Sequence, residues 1–423
     1  MNISNKFNKY EEYNPLVPVW CVTPGEGRCI HRFFDTSPFS PSMKYMAVLR
    51  LPYEDRLPLP GETAQVVLIN LEEGTEKVAA DTRGWESQLG ANINWGAADN
   101  ELYFNDVDTK TWDAFCVKLN PHTGEKARLG GTIYRISPDG KHIISACMKR
   151  MRRTQAGYGV IIPDGLVPRN YGLRGDDGLY ITDTATGESR LLVSIKEIFE
   201  RAEPKIDAEK YKDWEVYGFH CKYNPQGDRI MFSMRAYPRA NDWDPYDVIS
   251  VGEMHYWIIT MRHDGSEMYV AVAPDEWEKG GHHTTWFPDG KRLSFNLGFD
   301  EPWVMKLTQV DYDGKNMKKI LDYPLGSGHP TVHEDGRYIL TDTYESEEMA
   351  FGDGTVPLRW IDITTGAEKT AARVNIKNDG FKTHVSLRVD PHPAWAPDNR
   401  HVAFNGYVNG TRRVFVADFG GLL

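Results

Sequence analysis

No stretch of the 423-residue sequence approaches the roughly 18 to 20 unbroken apolar residues that cross a bilayer as a helix. Its opening, MNISNKFNKYEEYNP, lacks the apolar core of a secretory signal, so export is not expected. Cysteine is scarce: Cys21, Cys29, Cys116, Cys147 and Cys221 are odd in number and show no CxxC spacing. A disulfide framework is therefore not expected, and a reducing cytoplasm fits. Positive charge is in deficit, with 49 Lys and Arg against 60 Asp and Glu, a net charge of −11. That balance argues against a general binder of nucleic acid or anionic membranes. It leaves room for a small anionic substrate, which answers to the local field. Glycine-rich phosphate loops, GxSxG elbows and HExxH helices are missing as well. At 40% apolar and 26% charged, the composition excludes a disordered or fibrous chain.

What the sequence does contain is a repeat, written in its turns. An apolar run, a Pro-Asp-Gly-like turn and a second apolar run occur at 39–50, 96–105, 137–146, 224–234, 287–296, 333–342 and 396–405. Each reads as a β-hairpin. A second hairpin follows at 68–77, 117–129, 180–192, 258–270, 307–321 and 359–371, while the last copy, 414–421, stops short. Four strands per unit, about 60 residues against the roughly 40–45 of a minimal blade, predict an all-β, seven-bladed β-propeller of antiparallel four-stranded blades. The whole of 1–423 is then one domain. The truncated last copy lacks a fourth strand, and the run at 16–23 lacks a partner, so this N-terminal strand is expected to complete blade seven. The alternative is a loose N-terminal arm.

The extra length is uneven. Tight turns join strands a to b and c to d, whereas the long segments 51–63, 149–177, 194–218, 235–253, 344–356 and 371–390 all fall on the opposite face. Loops crowded on one face are where a propeller carries function. One of them predicts a helix. Ser194 and Glu197 form a capping box, Ile195, Ile198 and Phe199 share a face, and Pro204 ends it. Such a helix serves as a lid over the core.

Aligned on their first turns, the blades share a histidine column six residues before the Asp position: His220, His283, His329 and His392 in blades four to seven. This is the start of strand a, the innermost strand, at the loop-rich face. Four imidazoles converging on a channel mouth suit a transition metal, and histidine is also the commonest general base near neutral pH. The competing role is structural, since WD-type repeats keep a Gly-His pair here that stiffens the blade. Gly281-His282 and Gly328-His329 resemble that pair, but the accompanying Trp-Asp ends are absent. Blade one offers His31 and Arg32 on the same side, and an Arg fork matches a carboxylate. The basic run Lys149, Arg150, Arg152 and Arg153 would focus an anion at the mouth. Tyr158, Trp243, Trp277 and Trp303 are candidates to stack on sugar rings.

Taken in order, CIHRFF (29–34), GFHCKYNP (218–225), GGHHTTWFPDG (280–290), GSGHPTVHEDG (326–336), DPHPAWAPD (390–398) and VFVADF (414–419) resemble the oligogalacturonate lyases, within the broader TolB-like propellers. The resemblance covers most of the chain. It implies β-elimination on uronic-acid oligosaccharides, with a divalent metal, usually manganese, gripping the uronate carboxylate on imidazole ligands. His283 then matches the ligand from blade five and His392 the last ligand of blade seven. The family's Gln-x-x-His-x-His stretch is altered here, with Leu387 and Asp390 at its first two ligand positions. Asp390 remains a metal ligand candidate, and His329 is the candidate for the vacated place. Manganese is the expected metal, with calcium or zinc as alternatives.

Elimination requires taking the C5 proton of a uronate, and the charge that develops beside the carboxylate must be neutralised by a metal or an Arg. His220 is the expected base and Arg32, with His31, the expected carboxylate partner. Arg150, Tyr158 and His282 are expected to bind substrate. The partner is an anionic oligosaccharide. Two other classes compete: a non-catalytic TolB-like propeller that binds a protein or saccharide on its looped face, and a glycoside hydrolase drawing on Asp35, Asp300, Glu301 or Asp390.

Overall fold

The computed structural model of the protein describes residues 3–238, 253–378 and 380–423. Its strands form seven sheets, each of four antiparallel strands in sequential order except the last. Blade one runs Cys29–Ile30, Tyr45–Arg50, Ala64–Asn70 and Thr75–Thr82, naming strands a to d from the innermost outward. Blade seven combines Ala394–Trp395, His401–Val408 and Thr411–Asp418 with the N-terminal strand Val19–Cys21, so the two ends of the chain close the ring. The closing register is Val19 on Ala417, Trp20 on Val416 and Cys21 on Phe415. The expected partner at 16–23 is thus the observed one. A further short strand, Asn8–Lys9, pairs outside it and gives this blade five strands.

Each blade is covered on both faces by its neighbours, so its middle strands read as nearly unbroken apolar runs. In YMAVLR (45–50), Met46 and Val48 pack with Trp20, Val67, Ile69 and Val414 between blades seven and one. Ala47 and Leu49 on the other face pack with Leu102 and Phe104 of blade two. Alternation therefore selects which inter-blade core a side chain joins rather than core against solvent. Six of the seven a-to-b turns, all but that of blade two, use one left-handed residue. Glycine supplies it at Gly140, Gly227, Gly290 and Gly336, and Asn399 and Met43 adopt it in blades seven and one.

Polar residues within strand b latch one blade to the next. Asn105 exchanges two hydrogen bonds with the backbone of Ile133, at 2.7 and 2.8 Å. Asn405 in blade seven accepts from the His31 amide at 3.0 Å and donates to the Asp390 carbonyl at 3.2 Å, which ties blade seven to blade one. The helix Ile195–Arg201 is present with its capping box: the Ser194 side chain accepts from the Glu197 amide, and the Ser194 amide donates to Glu197 Oε2. Ile195, Ile198 and Phe199 are buried in the core of blades three and four. All five cysteines are unpaired, and no helix among the described residues is long and apolar enough to cross a membrane.

Candidate functional site

Blade one breaks its own pattern at the centre. Strand a ends at Ile30, and residues 31–38 leave the sheet around a tight turn bridged from Phe33 to Thr36 before Phe39 rejoins it opposite Met46. This excursion carries Phe33 into the middle of the histidine column. Its ring centroid lies 5.6 Å from His220, 6.1 Å from His283, 5.7 Å from His329 and 4.8 Å from His392. Phe34 continues the plug, 5.8 and 5.3 Å from His283 and His329. The four imidazoles therefore do surround one point, and an apolar ring pair occupies it. The plug separates a cleft on the looped side from a channel on the turn side.

The backbone aims the histidines. A β-bulge interrupts strand a between Gly218 and Cys221 in blade four and between His282 and Thr285 in blade five, turning side chains out of the pleat. His283 and His392 both hold left-handed backbone, with φ of +61° and +49°. Residues other than glycine seldom do so, and such conformations gather at functional sites. His283 Nδ1 lies 2.6 Å from the Gly328 carbonyl, which leaves Nε2 toward the Tyr344 hydroxyl at 3.3 Å. In blade six, Asp342 Oδ1 accepts from the amide of His329 at 2.7 Å, while the same carboxylate meets His329 Nδ1 at 2.8 and 3.0 Å. Asp342 Oδ2 also accepts from the His392 amide at 3.0 Å. One carboxylate thus orients two histidines of the column. Burial disfavours its charge, but His329 and these amides hold its carboxyl below the usual range.

His329, Asp390 and His392 bring one ligand atom each within 4.8 Å of one another, all three residues buried. His329 Nε2 and both ring nitrogens of His392 have no hydrogen-bond partner. The donor set is imidazole, imidazole and carboxylate, which suits manganese, iron or zinc. Asp342 on the far nitrogen of His329 is the outer carboxylate that metal-binding histidines commonly use. These residues therefore fit a divalent metal. His283 stands beside the trio, its ring 3.8 Å from that of His329, but is not among the three converging residues.

The looped-side cleft, about 220 Å³, is lined by Tyr158, His220, Arg235, His282, Tyr344 and Arg388 among others. Arg388 gives its Nε to Asp390, at 3.1 and 2.8 Å from the two carboxylate oxygens. Burial works against the Arg388 charge, but Asp390, Tyr158 and Tyr344 outweigh it and raise its pKa. His220 stacks on Phe219 and Tyr134 at 3.7 and 5.3 Å, and its Nε2 has no partner. Burial, reinforced by Lys222 and Arg235, drives its pKa well below the histidine range, so the ring is neutral. Burial also pushes Tyr158 up to about 12 and His282 down to about 3.

Other residues singled out in the sequence lie elsewhere. Arg32 is buried beneath the plug, with Nε on Asn92, a hydrogen bond to Thr36 and its guanidinium stacked 4.4 Å over Tyr134. It does not line the cleft. His31 is buried behind His392, ring centroids 6.5 Å apart, and burial takes its pKa down to about 4. Of the basic run, Arg150 faces Asp177 at 3.3 Å, Lys149 faces Asp113 at 3.7 Å, Arg152 bonds Asp164 and the Ile162 carbonyl, and Arg153 bonds the Val167 carbonyl. These arginines fasten the 149–177 segment to itself, and none of the four lines the cleft. Trp277 does line it, Trp303 is half-exposed outside it, and Trp243 lies outside the described residues. Sequence reasoning passed over Arg388, Tyr344, Asp342 and Phe33. Only Asp342 left a signal, as the strand-b residue in register with Asn296 and Asn405.

No protein-family model and no curated protein matches the sequence. Solved structures do match. An oligogalacturonate lyase in complex with manganese aligns with a TM-score of 0.62 at 14% identity, covering 97% of this chain and 96% of that one. An oligogalacturonate lyase from Vibrio parahaemolyticus aligns with a TM-score of 0.61, again at 14% identity and the same coverage. The tricorn protease aligns at 0.51 and 11% identity over 92% of this chain but 34% of its own length. In fold, then, the chain is a seven-bladed propeller similar to oligogalacturonate lyase over nearly all of both proteins.

Proposed function

We propose that the protein is a lyase that cleaves uronate-containing oligosaccharides by β-elimination with the help of a divalent metal, manganese first among them. One observation carries this: His329, Asp390 and His392 converge beside a cleft lined by Arg388, Tyr158, Tyr344 and the neutral His220, whose Nε2 is unpartnered. The likeness in fold to oligogalacturonate lyase supports the same reading. The cytoplasmic setting it implies is supported by five unpaired thiols.

A metal bound by the trio would supply a Lewis acid for the uronate carboxylate. Arg388 supplies a fixed positive charge on the cleft wall for that same group, a place the sequence assigned to Arg32. Among the described residues its terminal nitrogens hold no partner, so they are available to a carboxylate. His220 is a neutral acceptor whose free Nε2 takes the C5 proton. The pair from that C–H bond becomes the C4–C5 double bond as the C4–O bond breaks, and the leaving oxygen carries its pair away. Tyr158, protonated at neutral pH, donates the proton this oxygen needs, and solvent restores both groups. Tyr344 and Phe33 exclude water from the imidazoles.

The test is short-wave ultraviolet absorbance, which reports the new conjugated double bond, over a panel of uronate oligosaccharides with and without chelator. A rise that chelator abolishes, and that His392→Ala lowers by on the order of a hundredfold or more, is expected. A rise indifferent to chelator would remove the metal. A flat trace across the panel would make the protein a binding propeller instead.

A further inference from the structure

On the far side of the Phe33–Phe34 plug lies a larger cavity that the lyase reading does not use. It measures about 630 Å³ and opens among the tight turns, between Trp95, Trp286 and Trp395. Its floor holds Asp35, Arg135 and Lys222. Lys222 Nζ sits 2.5 Å from Asp35 Oδ2 and donates to the Thr284 carbonyl at 2.7 Å. Arg32 approaches the other oxygen of Asp35 at 3.5 Å from below. Arg135 donates to Thr36 and, among the described residues, forms no ion pair.

Three cations thus face one carboxylate, Asp35, in surroundings where the Asp35 and Lys222 side chains are only 6% and 3% exposed. The next carboxyl, Glu86, lies toward Arg32, and burial raises its pKa well above the carboxylate range. Even with Glu86 set against Arg32, Arg135 or Lys222 remains in excess. Charges withdrawn from water require a counter-charge, and an unmatched guanidinium at the end of an open channel is placed to receive one. Arg135 presents a fork suited to a two-oxygen face, and the aromatic rim offers surface for a ring.

We propose that this turn-side channel is a second ligand site, taking a small oxyanion-bearing molecule, carboxylate or phosphate, against Arg135 and Lys222. It is separated from the histidine cleft by the plug and does not depend on the function assigned to that cleft.

Titration calorimetry on the full chain, with chelator present so that no metal competes, tests this with inorganic phosphate and with galacturonate as separate probes. Saturable binding of either is expected; phosphate alone would name a phosphate ligand and galacturonate a carboxylate one. Arg135→Gln should weaken binding by about tenfold or more, as loss of a charge-assisted pair does. Ala97→Glu sets a carboxylate on the exposed rim, so it should weaken binding even if Arg135→Gln fails to fold. The proposal is overturned if neither probe saturates, if both variants bind like the parent, or if Arg388→Gln alone abolishes binding, which would locate it in the other cleft.

Discussion

His220, His282, His283, His392 and His31 share a property that neither their spacing nor their number conveys: His31 and His392 are buried and the other three half-buried, and withdrawal from water lowers the pKa of each. The neutral ring is what makes each an acceptor, but neutrality costs stability in acid. An unfolded histidine protonates near 6.5, whereas His31 resists until about 4 and His282 until about 3. Between those values the unfolded chain takes up protons that the native protein refuses. Stability present above pH 6.5 is therefore lost as pH falls toward the folded values, by about 1.4 kcal/mol per pH unit for each such histidine. Asp342, with its pKa held low, adds to the loss only in stronger acid. Urea unfolding with chelator present should give a plateau from pH 7 to 8 and a steep decline from 6.5 to 5. Equal stability at pH 7 and 5 would refute the burial of the column. At this scale the sequence displayed the histidines because their register repeats. Asp342 showed only as a register position, because its work is done on His329 and His392, 13 and 50 residues away, and Arg388 showed not at all, because the cleft wall it stands on is assembled from other blades.

The element that most shapes the site is the 31–38 excursion of blade one. Blades four and five carry strand a through this level, as Glu215–Tyr223 and Gly281–Trp286, whereas blade one lends two phenylalanines to the centre. Phe33 is fully buried against four imidazoles, and Lys222 lies 5.2 Å over its ring. Phe33→Ala should cost about 3–5 kcal/mol, the range for large-to-small change in a packed interior. It should also join the two cavities, so that a crystal structure of the variant would show continuous density for solvent through the channel. A sealed channel in that variant would mean that Phe34 alone forms the plug. The motif CIHRFF is plain in the sequence, yet nothing in it tells a strand from a plug. The apolar pair suits either one, and only the blades around it leave the space. The capped helix at Ile195–Arg201 is the opposite case, because its box and its apolar face are both local signals.

For the whole molecule, closure rests on three residues of strand and one latch. Val19 is fully buried and Trp20 nearly so, and Asn405 bonds across to His31. Deleting residues 1–22 would uncover the edge of Thr411–Asp418 and remove both side chains from their cores. Two such burials alone are worth about 5 kcal/mol, comparable to the margin of many domains. The truncated chain should lose its cooperative thermal transition and elute as aggregate on size exclusion, and a native-like transition would show that closure is dispensable. Seven blades, their order and this closing strand could be read from turn spacing and apolar runs, because hairpins are local and their repeat multiplies a weak signal. The resemblance to oligogalacturonate lyase was legible for the same reason, as short motifs kept in blade order. What the tertiary structure decided was which residues meet: His329 and His392 with Asp390, Arg388 rather than Arg32 on the cleft wall, and Arg135 with Lys222 across the plug. Those meetings depend on loop paths and on charge left over after pairing. Both are properties of distance in space, to which a linear sequence assigns no value.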